Sequence, residues 1–233
     1  MKLALVCGLH GNEPYGLEVA NRLNVPYFVG NEKALELNKR FIEVDMNRCF
    51  PGSVDGNFEE RLAASLLEKL KDYDAVIDLH SSSNNCPIFG IITKPNEEKL
   101  ELAKNLGLDK LVIMSDALAS GKSLIDHINL GISLEVGPHL AVGNVDKIVE
   151  KVNNLIEGKN KNKDLEVYEV FEIIKKLEPN VLIENFQEVK RGQLLANLDR
   201  VYRQYANFDF TAVLVNEEAY PEILCLAARK VKL

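Results

Sequence analysis

Two short stretches of this chain carry residue types suited to holding a divalent metal. The first apolar run ends in GLHGNEPYG, which sets His10 and Glu13 in a His-x-x-Glu pair where a strand gives way to a helix. Pro14 suits the first helical position, so the helix is expected to begin at about Glu13, with both polar side chains at its mouth. Gly8 and Gly11 flank the histidine and let the backbone turn without steric cost. The second stretch, DAVIDLH followed by SSSNN, closes a strand in His80, again beside a polar loop. Two imidazoles and one carboxylate are the donors of a catalytic zinc site that keeps a fourth position for water, so His10, Glu13 and His80 form the expected ligand set. Asp78, two residues earlier on the same strand face, is either a partner for the His80 ring or a turn-side carboxylate. Taken singly, each of the three reads better as a capping glutamate or a partly buried histidine with ordinary hydrogen bonds. Jointly they point to one ion, because two of the four histidines end apolar strands in front of loops rich in Ser, Asn and Gly.

Glu135 lies in GISLEVGPH, a charge inside an apolar strand, where burial raises a carboxyl pKa and makes a usable proton acceptor near neutrality. A strand-end glutamate paired to a surface lysine fits the local sequence equally well. In NKRFIEVDMNRCFPG, Arg48 with Asn47 could clamp an anionic substrate and Arg40 could stabilise a developing oxyanion. The more common fate of such charges is a surface strand carrying weak exposed ion pairs among Arg40, Glu43, Asp45 and Arg48. His127 and His139 follow no comparable pattern and receive no role. GLHG lacks the spacing of a dinucleotide loop and GKS at 121–123 lacks the upstream glycine of a P-loop, so nucleotide binding is not expected, although GKS leaves Lys122 as a cationic contact.

The elements that must position these groups alternate along the first two thirds of the chain. Strand-like runs at 3–7, 25–30, 74–79, 88–93, 110–114 and 132–136 are separated by helical patterns near 13–23, 57–72, 96–106 and 144–157. This predicts an α/β fold with a mostly parallel, mixed sheet flanked by helices, whose ligand-binding edge is the carboxyl end of the strands. GKNKNKD at 158–164 reads as a surface connection or domain boundary, or as a long loop. Beyond it, short strand-like runs and turn signals predict a small β-rich C-terminal domain, so the expected division is a catalytic domain over 1–158 and a β-rich domain over 165–233.

At 233 residues and 46% hydrophobic content the chain can bury a large core, and the net charge of −7 with scattered basic residues argues against a nucleic-acid partner. The N-terminal apolar run is followed by His, Asn and Glu where a cleavage site would need small residues, and no run approaches the ~18 apolar residues of a membrane span. The expectation is a soluble, cytoplasmic protein with no membrane partner, and a homo-oligomer is left open. The four cysteines are widely spaced without a Cys-x-x-Cys pair, so neither a redox motif nor a thiolate zinc site is indicated.

In order, GLHGNEPYG, RFIEVDMNR, DLHSS, LEVGP and VNEEAY resemble the landmarks of the aspartoacylase and succinylglutamate desuccinylase family, within the wider zinc carboxypeptidase-like group, over nearly the whole chain. The resemblance implies that His10, Glu13 and His80 bind one zinc ion per chain and that Glu135 activates water. It also implies that Arg40 polarises the scissile carbonyl and that Asn47, Arg48 and Tyr220 grip the substrate's carboxylate. The implied activity is hydrolysis of a small anionic N-acyl amino acid. A carboxypeptidase, a deacylase of another small acylated amine, and a non-catalytic zinc-binding module are the competing readings. Where aspartoacylases carry an arginine for the substrate's side-chain carboxylate, the nearest cation here is Lys122, a point charge rather than a bidentate fork.

Overall fold

The computed structural model describes residues 1–114, 121–139, 143–159, 162, 164–199 and 201–232. The alternation read from the sequence appears as β1 (Leu3–Cys7), α1 (Tyr15–Asn21), β2 (Tyr27–Val29), α2 (Glu32–Glu36), α3 (Phe58–Leu70), β3 (Ala75–Ser81), β4 (Phe89–Ile92), α4 (Glu97–Asn105), β5 (Lys110–Ile113), β6 (Gly131–Val136) and α5 (Gly143–Glu157). The C-terminal third supplies β7 (Glu166–Lys175), β8 (Asn180–Val181), β9 (Glu188–Val189), β10 (Leu194–Leu198), β11 (Tyr202–Tyr205), β12 (Phe210–Val213) and β13 (Ile223–Val231). GKNKNKD falls partly outside the described residues.

Ten strands form one sheet in the order β2-β1-β3-β6-β4-β5-β7-β13-β12-β9. The pairs on either side of β4–β6 are parallel as far as β7, while β4 and β6 run antiparallel, as do the last strands from β7 onward. The expected mixed, mostly parallel sheet is therefore present, and a separate antiparallel sheet, β11-β10-β8, lies in the C-terminal third. No helix among the described residues is long and apolar enough to cross a membrane.

Strand periodicity decides which face carries the chemistry. On β1, Leu3, Leu5 and Cys7 pack in one cluster with α1, α4 and α5, while Ala4 and Val6 pack in another with α3, so both faces are buried. On β3, Ala75, Ile77 and Leu79 point to the first face, leaving Asp78 and His80 on the second. On β6, Ile132, Leu134 and Val136 do the same, leaving Ser133 and Glu135 beside them in register: Asp78 opposite Ser133, and His80 opposite Glu135. The polar groups thus share the face opposite α1, α4 and α5.

Two local features depart from the expected outline. Helix α1 begins one residue after Pro14, which takes the capping position rather than the first helical one. The RFIEVDMNR segment is not a strand: it runs as a loop into a 3-10 turn at Met46–Arg48, capped by the Asp45 side chain accepting from the Asn47 N–H at 2.9 Å.

Candidate active site

The loop between β1 and α1 is shaped by two glycines. Gly8 adopts φ +61°, a conformation that L side chains rarely take, and a Cβ on Gly11 would lie 2.0 Å from the Ala34 carbonyl carbon of α2. The close approach lets the Gly11 N–H donate to the Arg40 carbonyl at 3.3 Å, tying the segment of His10 to the segment of Arg40.

His10, Glu13 and His80 are buried, with exposures of 4%, 2% and 3%. One candidate donor atom from each lies within 4.8 Å of the others, a group that could hold a metal ion. Both Nδ1 atoms face the same carboxylate: His10 Nδ1 is 2.8 Å from Glu13 Oε1 and His80 Nδ1 is 3.2 Å from Glu13 Oε2. The outer nitrogens meet other carboxylates, His10 Nε2 lying 3.1 Å from Asp45 Oδ1 and His80 Nε2 2.6 Å from Asp78 Oδ2. An ionised carboxylate only accepts, so each ring nitrogen has an acceptor beside it; with a cation in place of the Nδ1 protons, Asp45 and Asp78 would keep the Nε2 protons and the Nδ1 lone pairs would face the ion. This is the chemistry of a metal-ligating set, and the residues fit a divalent cation.

The electrostatics follow from this enclosure. Burial pushes the Glu13 carboxyl upward, but the imidazoles of His10 and His80 more than offset it and hold the group well below the usual carboxylate range. Burial pushes His80 down, and Asp78 and Glu13 more than offset that, so its pKa is raised. For Asp45 burial is again the largest influence, and His10, Arg40 and Arg48 reverse it to leave the carboxyl depressed. Glu135 has no such rescue: burial pushes it up to about 8, with His80 opposing and Glu13, Glu217 and Asp78 reinforcing.

These residues open on a cavity of about 160 Å³, lined among others by Glu135, Arg40, Asn47, Arg48 and Tyr220. Arg40 donates from Nε and Nη2 to Asp45 Oδ2 at 3.1 and 2.9 Å and points Nη1 at Glu13 at 3.5 Å. Arg48 donates to the Tyr220 hydroxyl at 2.7 Å, and both guanidinium groups lie over the Tyr220 ring, 5.6 and 5.7 Å from its centre. Asn47 Oδ1 accepts from the Leu124 N–H at 2.9 Å, which fixes its amide beside His80. Of the residues given a metal, catalytic or substrate role from the sequence, Lys122 alone is not brought to the cavity. Its side chain is exposed and outside the lining, because the segment turns inward at Ser123 instead.

Over residues 1–158 the chain matches the family model described as the succinylglutamate desuccinylase/aspartoacylase catalytic domain. The chain belongs to this family. Among desuccinylase/aspartoacylase relatives, a probable aspartoacylase of Trichodesmium erythraeum (strain IMS101) is 24% identical over 98% of this chain and 97% of its own length. A succinylglutamate desuccinylase of Pseudomonas putida (strain GB-1) is 27% identical over 84% of this chain and 72% of its own. In fold, the chain superposes on murine aminoacylase 3 with a TM-score of 0.82 at 18% identity, covering 100% of this chain and 96% of that one. A family member from Rhodobacter sphaeroides, a succinylglutamate desuccinylase/aspartoacylase, gives 0.77 at 16% identity, covering 100% and 86%.

Three parts of the site had no assigned role at the level of sequence. Asp45 reads there as half of a surface ion pair, yet it holds His10 from 35 residues away. Glu217 lines the cavity and accepts from the Ser83 N–H and hydroxyl at 2.8 and 2.7 Å. His139 Nδ1 lies 2.7 Å from the hydroxyl of Ser81, the residue after His80. The only signal for Asp45 was its place five residues after Arg40 in a segment too rich in charge for a buried strand. His127 is exposed, its Nε2 3.0 Å from the Gly121 carbonyl.

Proposed function

We propose that this protein is a zinc-dependent deacylase that hydrolyses the amide bond of a small N-acyl amino acid, releasing the amino acid and a carboxylate. The observation that carries the reading is the convergence of the His10 and His80 Nδ1 atoms on the Glu13 carboxylate, beside a glutamate whose pKa stands near 8. His10, Glu13 and His80 would hold the ion. When bound, zinc supplies Lewis acidity, lowering the pKa of water toward neutrality and polarising a carbonyl.

Glu135 takes a proton from the attacking water and returns it to the leaving nitrogen as the C–N bond breaks. Its upward-shifted pKa suits both halves of that cycle. Arg40, braced by Asp45, faces the carbonyl and offsets the negative charge that develops on its oxygen. Arg48 and Asn47, with the Tyr220 hydroxyl, receive the substrate's α-carboxylate. Lys122 has no part in this reading, since its charge lies outside the cavity. Residues 1–158 then supply metal set, base and arginines, and residues 165–233 supply Tyr220, which gives the two-part division a functional meaning. A cytoplasmic location and a small anionic substrate belong to the same proposal.

The test is amine release by the zinc-loaded protein from a panel of N-acyl amino acids, with and without chelator. Glu135→Gln should keep the metal and lose at least ~100-fold in kcat. Parental activity in that variant removes Glu135 from the role.

A further inference from the structure

The cavity joins a carboxylate grip to a wall of hydrocarbon. Ile91 of β4, Leu226 of β13, and Ile125, Met114, Leu214 and Ile223 belong to one apolar cluster, and all six line the cavity. They continue the sheet face that carries His80 and Glu135, since Phe89 and Ile91 of β4 stand opposite Glu135 and Ser133 of β6.

Two hydroxyls among them are already engaged, and Thr93 Oγ1, buried on the same lining without a hydrogen-bond partner among the described residues, is a neutral group that brings no charge. The Ser133 hydroxyl donates to Asp78 at 3.3 Å and the Ser123 hydroxyl to Asp126 at 2.7 Å. Among the described residues, Arg40 and Arg48 are the cations of the lining. Arg40, held by Asp45 and facing Glu13, is given to the scissile carbonyl, and Arg48, which donates to the Asn47 carbonyl and to Tyr220, is the grip for the α-carboxylate, so the described lining holds no further cation for a second anion. A second carboxylate on the substrate would be stripped of water against the apolar wall and would face Glu135 and Glu217, with no cation to receive it.

We propose that the preferred substrates carry a single carboxylate and an apolar remainder: N-acyl derivatives of aliphatic or aromatic amino acids, in preference to acyl-aspartate or succinyl-glutamate. This rests on the deacylase reading above and names its substrate class.

The test compares kcat/KM of the zinc-loaded protein for N-acetyl-leucine, N-acetyl-methionine and N-acetyl-phenylalanine with that for N-acetyl-aspartate and N-succinyl-glutamate. The best apolar substrate should lead by about 100-fold, the discrimination expected of a site lacking the partner a charged group requires. Calorimetry on the zinc-loaded Glu135→Gln protein, which leaves substrate intact, should show the same order in Kd. Ile223→Arg, at a half-buried position, and Leu226→Arg place a cation on the wall, and at least one of them should narrow the preference. Equal or better turnover of the dicarboxylates overturns the substrate class and leaves the deacylase standing. An unchanged preference in both arginine variants, if folded, also overturns it by removing the wall from recognition. No hydrolysis and no binding of any substrate removes the deacylase reading, and this proposal with it.

Discussion

Each imidazole of the site sits between two carboxylates, one shared and one private. Glu13 faces both Nδ1 atoms, while Asp45 and Asp78 hold the outer nitrogens. Asp45→Asn keeps the shape and removes the charge, so metal affinity measured against a competing chelator should fall by about 10–100-fold. Glu135 supplies a second prediction, in stability. Its folded pKa of about 8 lies above the ordinary 4.5, so the folded chain keeps a proton that the unfolded chain releases. The contribution of Glu135 to the stability of the chelated protein should therefore fall as pH rises from about 4.5 to 8 and be fully lost above that, while the raised pKa of His80 adds a fall of its own above 6.5. Glu135→Gln removes this part of the slope and should be the more stable protein at pH 8, by on the order of a few kcal/mol in urea unfolding, despite its lost turnover. The His10, Glu13, His80 and Glu135 cluster was legible because His80 and Glu135 lie within apolar strands and the His10–Glu13 pair directly follows one, where a polar group needs a reason. Asp45 was not, because its meaning depends on a loop passing close to a histidine 35 residues away, and Lys122 misled because sequence proximity does not say which way a turn faces.

Among the elements, the strands and longer helices of the first 158 residues were readable from periodicity, while the five-residue helix α2 and the loop from 41 to 48 were not. Phe41, Ile42 and Val44 give it a strand-like texture, yet three successive backbone donors, from Ile42 to Val44, are taken by one buried side chain. Glu59, fully buried on α3, accepts from Ile42 N–H at 2.7 Å, Glu43 N–H at 3.1 Å and Val44 N–H at 3.3 Å, and from the Asn31 amide at 3.1 Å. Helix α3 is itself fixed at its start by a reciprocal cap between Asn57 and Glu60. The helix thus carries a carboxylate that folds the loop bearing Asp45, Asn47 and Arg48. Glu59→Gln turns one acceptor into a donor facing backbone N–H groups and removes the charge. It should cost about 2–3 kcal/mol in thermal or urea unfolding and reduce activity although Glu59 touches no substrate.

At the scale of the whole molecule, the sheet runs without a break across the segment at 158–164, because β7 pairs with β5 in parallel. Sequence periodicity could not show this: alternation identifies a strand but not its neighbour. Through that continuation Tyr220 reaches Arg48 and Arg40, and Glu217 reaches Ser83. Tyr220→Phe keeps the ring under both guanidinium groups and deletes the hydroxyl between them. KM for the favoured substrate should rise about 5–10-fold with a smaller change in kcat, as expected for a contact made equally before and during reaction.

The contact between Arg48 and Tyr220 spans 172 positions of the chain. Such a distant pairing forms late, after nearer contacts have reduced the entropy of closing so long a loop. During refolding, strand signal in circular dichroism and tight cobalt or zinc uptake should return ahead of hydrolysis, so a maturing molecule passes through a stage that can load its ion before it can hold anything to cut.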